Sequence, residues 1–314
     1  MVLDALVGAG VSCCDGFETA TRGLQAVYDR ASGPEVHLAA PRLTIVPMPR
    51  AACTASVCDD PAMCGRMTMR TNPSELAQIF DAELRDNEAE TLYELGPRYN
   101  VAPTQPIPVI VQRDDGRAFE MHRWGIVPSW SESMASAGAR YINARGETVA
   151  TSPVFRNSFL RRRCVIPADG FYEWRRDGKR KLPFLIHTPA DAPLAFAGLW
   201  APWKNPADGQ WLLSAAVVTT QANATVSELH NRMPVILDEE AWHLWLDPDL
   251  REVGLLASLL VPAPDELLEL RPASPLVNNA ANEGAALLRA PADGAPADDD
   301  RPRAPAGHAL TLFD

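Results

Sequence analysis

Short stretches in which apolar and polar residues alternate are the main pattern of the chain between residues 63 and 285. The clearest pair is Ile107–Gln112 and Arg117–Trp124, which are joined by Asp114-Asp115-Gly116. An Asp-Gly turn between two alternating stretches is a strong signal for a β-hairpin. A second Asp-Gly turn, Asp177-Gly178, separates strand patterns around Glu173 and Phe184. The pattern therefore predicts a series of hairpin-connected strands.

Helical spacing is rarer and occurs in short segments. Asn72 or Thr71 can cap a helix that begins near Pro73, and Glu75 follows Asn72 at the capping-box distance. Further short helices are predicted at Ser152–Leu160, Thr225–Leu229, Glu239–Leu246 and Val253–Leu260. The residues after Phe80 resemble a polar linker, and Arg98–Gln105 resembles an irregular, proline-bounded segment. These elements predict an α+β fold, a single domain built on a curved or barrel-like antiparallel β-sheet with flanking short helices.

Three regions follow from this pattern: an extension at 1–62, the patterned domain at 63–285, and a tail at 286–314. The extension has little periodicity, and two interpretations of it remain open. It is a weakly ordered appendage that is later removed, or it precedes a true translation start at Met63. The tail is rich in proline and aspartate, which is typical of a disordered segment.

Composition excludes several classes of protein. No apolar run is long enough to span a membrane, and the N-terminus lacks the features of a signal peptide, so we expect a cytoplasmic monomer. Five of the six cysteines lie within the first 64 residues, which does not resemble a disulfide framework. Cys13-Cys14 and the Cys53/Cys58 pair lack partners with metal-site spacing, so we expect neither a metal nor a cofactor.

The charge of the chain is unevenly distributed. The net charge is −11, yet residues 140–181 hold eleven Lys and Arg against four Asp and Glu, a local charge of 11 − 4 = +7. A basic surface on an acidic protein is compatible with a nucleic-acid groove, and equally with an ordinary solvated face.

Four residues are candidates for chemistry: Cys64, Asn100, Glu173 and His230. Cys64 is a small buried hydrophobe, or, if the chain begins there, a residue with both a thiol and an α-amine. Glu173 lies between Tyr172 and Trp174. Burial would raise the pKa of its carboxyl toward the range useful for general acid–base catalysis, whereas an outward-facing position would not. His230 lies in a polar turn, where it can move protons or be a surface residue. No common hydrolase or nucleotide-binding motif is present.

Seven ordered motifs closely resemble those of the SRAP (SOS response-associated peptidase) family. They are Met63-Cys-Gly-Arg66, Arg98-Tyr-Asn-Val-Ala-Pro-Thr-Gln105, Arg123-Trp-Gly-Ile-Val-Pro-Ser-Trp130, Asn143-Ala-Arg-Gly-Glu-Thr148, Arg163-Cys-Val-Ile-Pro-Ala-Asp-Gly-Phe-Tyr-Glu-Trp174, Thr219-Thr-Gln-Ala-Asn223 and His230-Asn-Arg-Met-Pro234. The resemblance covers most of 63–285 and none of 1–62.

The resemblance implies a protein of the DNA damage response that processes abasic sites in single-stranded DNA. In the family the methionine before the cysteine is removed, and the cysteine's amine and thiol condense with the aldehyde of the lesion to a thiazolidine crosslink. The resemblance also implies lyase and autopeptidase activities, and a nucleoid-associated protein. While Met63 still precedes Cys64, the nitrogen is an amide and this chemistry cannot occur.

Carried over to this chain, the resemblance implies that Cys64 is the nucleophile and that Asn100 orients the amine and the sugar. Glu173 would move the proton that opens the sugar ring, and His230 would assist Schiff-base formation. The implied DNA-binding residues are Arg66, Arg98, Trp124, Arg140, Arg145 and Arg162, with Trp124 stacking on a base.

Two further hypotheses remain open at the level of sequence. The first is a cysteine peptidase with Cys64 as nucleophile, His230 as base and Glu173 as the acidic residue, which needs no α-amine. The second concerns Leu310–Phe313, which resembles short motifs that dock on the bacterial sliding clamp.

Overall fold

The computed structural model describes residues 65–289, except residues 138 and 179 and the side chains of residues 86, 87 and 136. The strands are β1 (Met67–Met69), β2 (Arg98–Val101), β3 (Pro106–Arg113), β4 (Gly116–Trp124), β5 (Asn143–Arg145), β6 (Arg163–Ala168), β7 (Gly170–Asp177), β8 (Arg180–His187), β9 (Leu194–Lys204), β10 (Trp211–Gln221), β11 (Arg232–Pro234) and β12 (Glu269–Pro272). The α-helices are α1 (Pro73–Ile79), α2 (Asp86–Leu95), α3 (Met134–Ala137), α4 (Arg156–Arg161), α5 (Ala224–Ser227), α6 (Glu239–Leu246) and α7 (Val253–Ser258). Three short 3₁₀ helices lie at Asp265–Leu267, Pro275–Asn278 and Ala285–Leu288.

Five strands close into a barrel in the order β10-β4-β3-β6-β9, and the pairing of β9 with β10 completes the ring. All neighbours are antiparallel except β4 and β10, which run parallel. β5 continues the edge of β4 and also runs parallel to β10. A second, fully antiparallel sheet has the order β12-β8-β7-β1-β2. The predicted α+β fold on a barrel-like sheet is confirmed.

Alternate residues of the barrel strands enter two apolar clusters, as the period of two in a strand requires. On β6, for example, Val165 packs in a cluster with the tryptophans of α6, whereas Ile166 packs in a second cluster. That second cluster also contains Met67 of β1 and Phe171 of β7. It therefore joins the barrel to the second sheet.

Both predicted hairpins form. Arg113 pairs with Gly116 across a two-residue turn, and Asp177 pairs with Arg180. Gly116 has a φ of 127°, a backbone conformation that glycine adopts without strain. The predicted cap of α1 also forms, because the Asn72 side chain accepts a hydrogen bond from the Ser74 N–H.

Three local predictions are wrong. The presumed linker after Phe80 contains α2, whose only buried apolar side chain is Leu92, so its apolar pattern is weak. Arg98–Val101 is a strand because it pairs with β1, a contact that local sequence does not reveal. The helix expected at Ser152–Leu160 begins only at Arg156.

Candidate functional site

Strand β1 places the residues next to Cys64 between β2 and β7. Met67 pairs with Val101 on one side and with Phe171 on the other. The Tyr172 N–H donates to the Arg66 carbonyl at 3.0 Å, which continues the pairing with β7 toward the N-terminal end of β1. One further step in the same register brings Gly65 beside Glu173. Cys64 itself lies outside the described residues.

Asn100 of β2 is completely buried, and its amide is engaged on both sides. Its Oδ1 accepts from Arg66 Nη1 at 2.8 Å, and its Nδ2 donates to the carbonyls of Asn279 at 2.9 Å and Asn282 at 3.0 Å. Arg66 Nη1 also donates to the Val277 carbonyl at 2.6 Å. Asn100 thus ties β2 to β1 and to the C-terminal segment, and these bonds leave its amide little capacity for a substrate.

Glu173 of β7 is 5% exposed. Because Phe171 packs in the cluster shared with the barrel, the alternation of β7 directs Glu173 to the same face. Two residues further along that face, Arg175 forms a 3.8 Å ion pair with Glu228. This exposed contact shows that the loop that carries His230 lies next to the strand that carries Glu173.

His230 is half-buried in the loop between α5 and β11. Its backbone N–H donates to the Val226 carbonyl at 3.0 Å, and its Nδ1 accepts from the Arg232 backbone N–H at 3.1 Å. Because Nδ1 accepts, the proton of the neutral imidazole lies on Nε2. Val226 and Met233, on either side of His230, pack in the same apolar cluster as Met67 and Phe171. The structure therefore brings Glu173, His230 and the start of β1 around one cluster.

The predicted DNA-binding residues differ in their exposure. Arg140 and Arg145 are exposed, and Arg145 lies opposite Thr219 of β10, close to the His230 loop. Arg98 is partly buried and donates to the Gln105 side chain and the Pro106 carbonyl. Arg162 lies over the Trp200 ring. It immediately precedes β6, whose six residues at roughly 3.3 Å each place Arg162 about 20 Å from the end of β6 that leads to β7.

Trp124 is fully buried, and its indole N–H donates to the Ile142 carbonyl at 3.1 Å. A base needs an accessible ring face to stack on, and Trp124 presents none in this structure. Its quoted motif had suggested stacking, but burial in a barrel strand depends on long-range packing that the motif alone does not reveal.

Three residues of the quoted motifs received no role from the sequence, although the structure places them beside the site. Asn143 opens β5 and follows Ile142, which packs in the cluster shared with Met67. Arg232 and Glu147 form a two-bond ion pair beside His230. Their presence in motifs was the available signal, and the hydrogen-bond partners were the missing information.

The site combines a buried carboxylate, a partly buried imidazole with a defined tautomer, and nearby arginines. This set can move protons and bind phosphates. Among residues 65–289, as far as they are described, no group of three or more His, Cys, Asp or Glu is arranged to hold a metal ion. No helix in this part of the chain is long and apolar enough to cross a membrane.

Comparison with known proteins gives a consistent result. A family model described as SOS response associated peptidase (SRAP) matches residues 63–280. The chain is 38% identical over 229 residues to the abasic site processing protein YoaM of Bacillus subtilis, which covers 73% of this chain and 98% of that protein. It is 31% identical over 234 residues to the abasic site processing protein YedK of Escherichia coli, with coverages of 72% and 99%.

A vertebrate relative and a solved structure extend the comparison. The abasic site processing protein HMCES of Xenopus tropicalis is 30% identical over 259 residues, which cover 70% of this chain and 76% of that protein. A crystal structure of a protein from Bacteroides thetaiotaomicron matches with a TM-score of 0.65 at 24% identity and covers 73% of this chain and 100% of that one. The latter likeness shows the fold alone.

Proposed function

The chain belongs to the SOS response associated peptidase (SRAP) family, and from this premise we propose that it processes abasic sites in single-stranded DNA through Cys64. The reagent is the residue as a chain terminus, with its α-amine and thiol both available. Several relatives, from Bacillus subtilis to Xenopus tropicalis, are named abasic site processing proteins, which supports this substrate.

One observation carries the proposal. The pairing of β1 with β7 sets Arg66 opposite Tyr172, so Gly65, the next residue back, lies alongside Glu173. The exposed Arg175–Glu228 contact shows that the His230 loop lies beside the same strand. The described chain therefore begins, at Gly65, beside a region with a buried carboxylate and an imidazole, which supports a reactive residue at position 64.

The proposed reaction has two bond-forming steps. The α-amine of Cys64 attacks C1′ of the ring-opened deoxyribose, a C–N bond forms, and water leaves to give a Schiff base. The thiolate of Cys64 then adds to the same carbon, a C–S bond forms, and the nitrogen takes up a proton to give a thiazolidine. The amine and thiol are two carbons apart, so ring closure is intramolecular and benefits from a high effective concentration. No redox partner is needed.

Glu173 and His230 supply proton transfers in this scheme. Glu173 accepts and returns the proton that opens the sugar ring, and it then carries the protons released by the attacking amine to the oxygen that leaves as water. His230 donates a hydrogen bond from Nε2–H to that oxygen and keeps its proton. We assign the amide that orients the sugar to Asn143 instead of Asn100, because the amide of Asn100 is engaged by Arg66 and by backbone carbonyls. Arg145 and Arg66 bind the flanking phosphates.

The α-amine of Cys64 must be exposed for this reaction. We therefore further propose that translation starts at Met63 and this methionine is then removed, or that the protein itself cleaves the peptide bond before Cys64. β-Elimination at the bound lesion belongs to the same proposal. The predicted sliding-clamp motif, Leu310–Phe313, lies outside the described residues.

The experiment incubates protein that begins at Cys64 with single-stranded DNA containing one abasic site and separates the products on a denaturing gel. A covalent product is expected for the wild type and is expected to be absent for Cys64→Ala and for undamaged DNA. Cys64→Ala and Cys64→Ser both retain the α-amine, so each is expected to form only a Schiff base, which is seen as a covalent product only after borohydride reduction. Covalent product with Cys64→Ala in the absence of borohydride would contradict the proposal.

A control with a blocked amine separates this function from a cysteine peptidase. N-Acetylation of Cys64 leaves the thiol unchanged and is expected to abolish crosslinking. A peptidase that acts on other proteins would keep its activity after this modification, because its thiolate alone attacks the carbonyl.

A further inference from the structure

The side chain of Arg232 is held at two places beside the candidate site. Nη1 and Nη2 donate to the two carboxylate oxygens of Glu147 at 2.7 and 2.9 Å. Nη2 also donates to the Thr219 carbonyl at 2.8 Å. The guanidinium therefore joins β11 to the end of β10 and to the loop after β5. A two-bond ion pair of this kind fixes orientation as well as distance.

The same residue controls the imidazole through its backbone. The Arg232 N–H donates to His230 Nδ1 at 3.1 Å. For this bond to persist, Arg232 must stay where its side chain anchors it, and Nδ1 must remain the unprotonated nitrogen. The backbone N–H of His230 is fixed separately, to the Val226 carbonyl at 3.0 Å. The ring orientation therefore depends on Arg232, whereas the position of the loop has a second support.

We propose that Arg232 and Glu147 act as a positioning pair that holds His230 in one tautomer, with its Nε2–H directed to the reacting sugar. The catalytic part of this inference rests on the proposed function, whereas the tautomer is a property of the protein itself. Arg232 is the positioning residue and Glu147 keeps its side chain in place. Neither residue needs to touch the substrate for this role.

The chemistry explains why the pair is placed here. In the proposed reaction His230 donates a hydrogen bond from the nitrogen that faces the substrate, and the opposite tautomer would present a lone pair at that position. The carboxylate of Glu147 is partly exposed and Arg232 is mostly covered, with side-chain exposures of 45% and 13%. Glu147 can thus be substituted without opening a cavity in the core.

The first measurement is ¹⁵N NMR of the histidine side chains in the full chain, with the signals of His230 assigned by their loss in His230→Gln. The wild type is expected to show widely separated ¹⁵N shifts for the two ring nitrogens, as a single tautomer gives. Glu147→Ala and Arg232→Lys are expected to bring the two shifts together, because lysine cannot form the two-bond pair. Glu147→Gln retains one acceptor oxygen but loses the two-bond pair, and is expected to give a separation between those of the wild type and of Glu147→Ala.

A matched control is available on the same loop. Arg175→Ala removes the exposed 3.8 Å ion pair with Glu228 without touching Arg232. This variant is expected to leave the ¹⁵N shifts of His230 unchanged. If Glu147→Ala and Arg232→Lys keep the wild-type separation between the two ¹⁵N shifts of His230, the proposed positioning pair is overturned.

The second measurement is the single-turnover rate of crosslink formation at saturating DNA. Glu147→Ala is expected to lower this rate about tenfold or more with a smaller change in DNA affinity, because a misplaced catalytic group costs rate. If the two ¹⁵N shifts of His230 converge in Glu147→Ala while the rate of crosslink formation is unchanged, the catalytic part of the proposal is overturned. If neither the wild type nor any variant forms a crosslink, the proposed function fails. The ¹⁵N shifts then still decide whether the pair positions His230.

Discussion

At the scale of single residues, two asparagines of the quoted motifs have very different surroundings. Asn100 is completely buried and bonded to Arg66 and to the carbonyls of the C-terminal segment. Asn143 is half-buried at the first position of a short strand. Their side chains are identical, so only the partners separate a structural amide from a candidate functional one.

Asn100→Ala is expected to lower the free energy of unfolding by about 2 kcal/mol or more, because it leaves a buried guanidinium N–H and several carbonyls with fewer partners. Urea denaturation of the chain measures this loss. Asn143→Ala is the matched variant, with an expected loss below about 1 kcal/mol and a crosslinking rate reduced at least tenfold. The reverse result, a stable Asn100→Ala protein that fails to crosslink, would return the functional role to Asn100.

At the scale of elements, β7 carries Glu173 of the candidate site, and the geometry of this strand depends on its first residue, Gly170. Gly170 has a φ of 159°, and a Cβ built there would lie 2.6 Å from the Ile186 carbonyl oxygen of the neighbouring strand. Real Cβ atoms do not approach a carbonyl oxygen this closely, so one of the two strands would have to move. Glu173 is three residues away on the same strand.

Gly170→Ala is therefore expected to destabilise the protein by about 2 kcal/mol, a cost typical of overpacking against an atom that cannot move away. Denaturant titration measures the loss. Gly178→Asn, at the turn of the same hairpin, is the control: its φ is 59°, its Cβ position is open, and asparagine tolerates this conformation. Equal stabilities of the two variants would contradict the predicted clash.

The elements also show what the sequence can predict. The β3–β4 hairpin and helix α6 follow from local signals, an Asp-Gly turn and an apolar spacing, and both form where expected. β2 and β12 could not be found in this way, because each is a strand only through a partner distant in sequence, β1 and β8. For the candidate site, the motifs pointed to Glu173 and His230 as candidates, whereas the engagement of Asn100 and the burial of Trp124 depend on long-range contacts.

At the scale of the whole molecule, stability depends on a charged cluster on the barrel strands. His122 is completely buried, with its Nε2 3.0 Å from Glu120 Oε2, and Arg113 Nε donates to Glu120 Oε1 at 2.7 Å. Burial lowers the pKa of His122 and outweighs the opposing effect of Glu120. Burial alone would raise the pKa of Glu120, but hydrogen bonds from His122 and Arg113 hold the pKa of this carboxyl below its usual value.

The sign of the pH dependence follows from these directions. Because the folded pKa of His122 lies below its ordinary value of 6.5, the unfolded chain binds this proton more readily, and stability is lost as the pH falls below about 6.5. Glu120, with a pKa below 4.5, stays ionised in this range. Between pH 7 and pH 5.5, wild type is expected to lose about 1 kcal/mol more than His122→Gln in urea denaturation. An equal loss in the two proteins would contradict this assignment.

The segment before β1 is also bonded to the C-terminal part of the described chain, since Arg66 Nη1 donates to the Val277 carbonyl at 2.6 Å. This bond fixes the start of β1, and the proposed function depends on what lies immediately before it. The central claim is therefore that the reagent is Cys64 with an exposed α-amine. It requires both the amine and the thiol to be bonded to the same carbon of the lesion.

Mass spectrometry of the trypsin-digested crosslink tests this claim most directly, because trypsin cleaves after Arg66 and releases the short peptide Cys64-Gly65-Arg66. The account predicts that the sugar remnant is attached to this peptide, that the peptide begins at Cys64, and that its thiol resists alkylation because it is already bonded. A remnant attached to any other residue, or to a peptide that still carries residues before Cys64, would contradict the account.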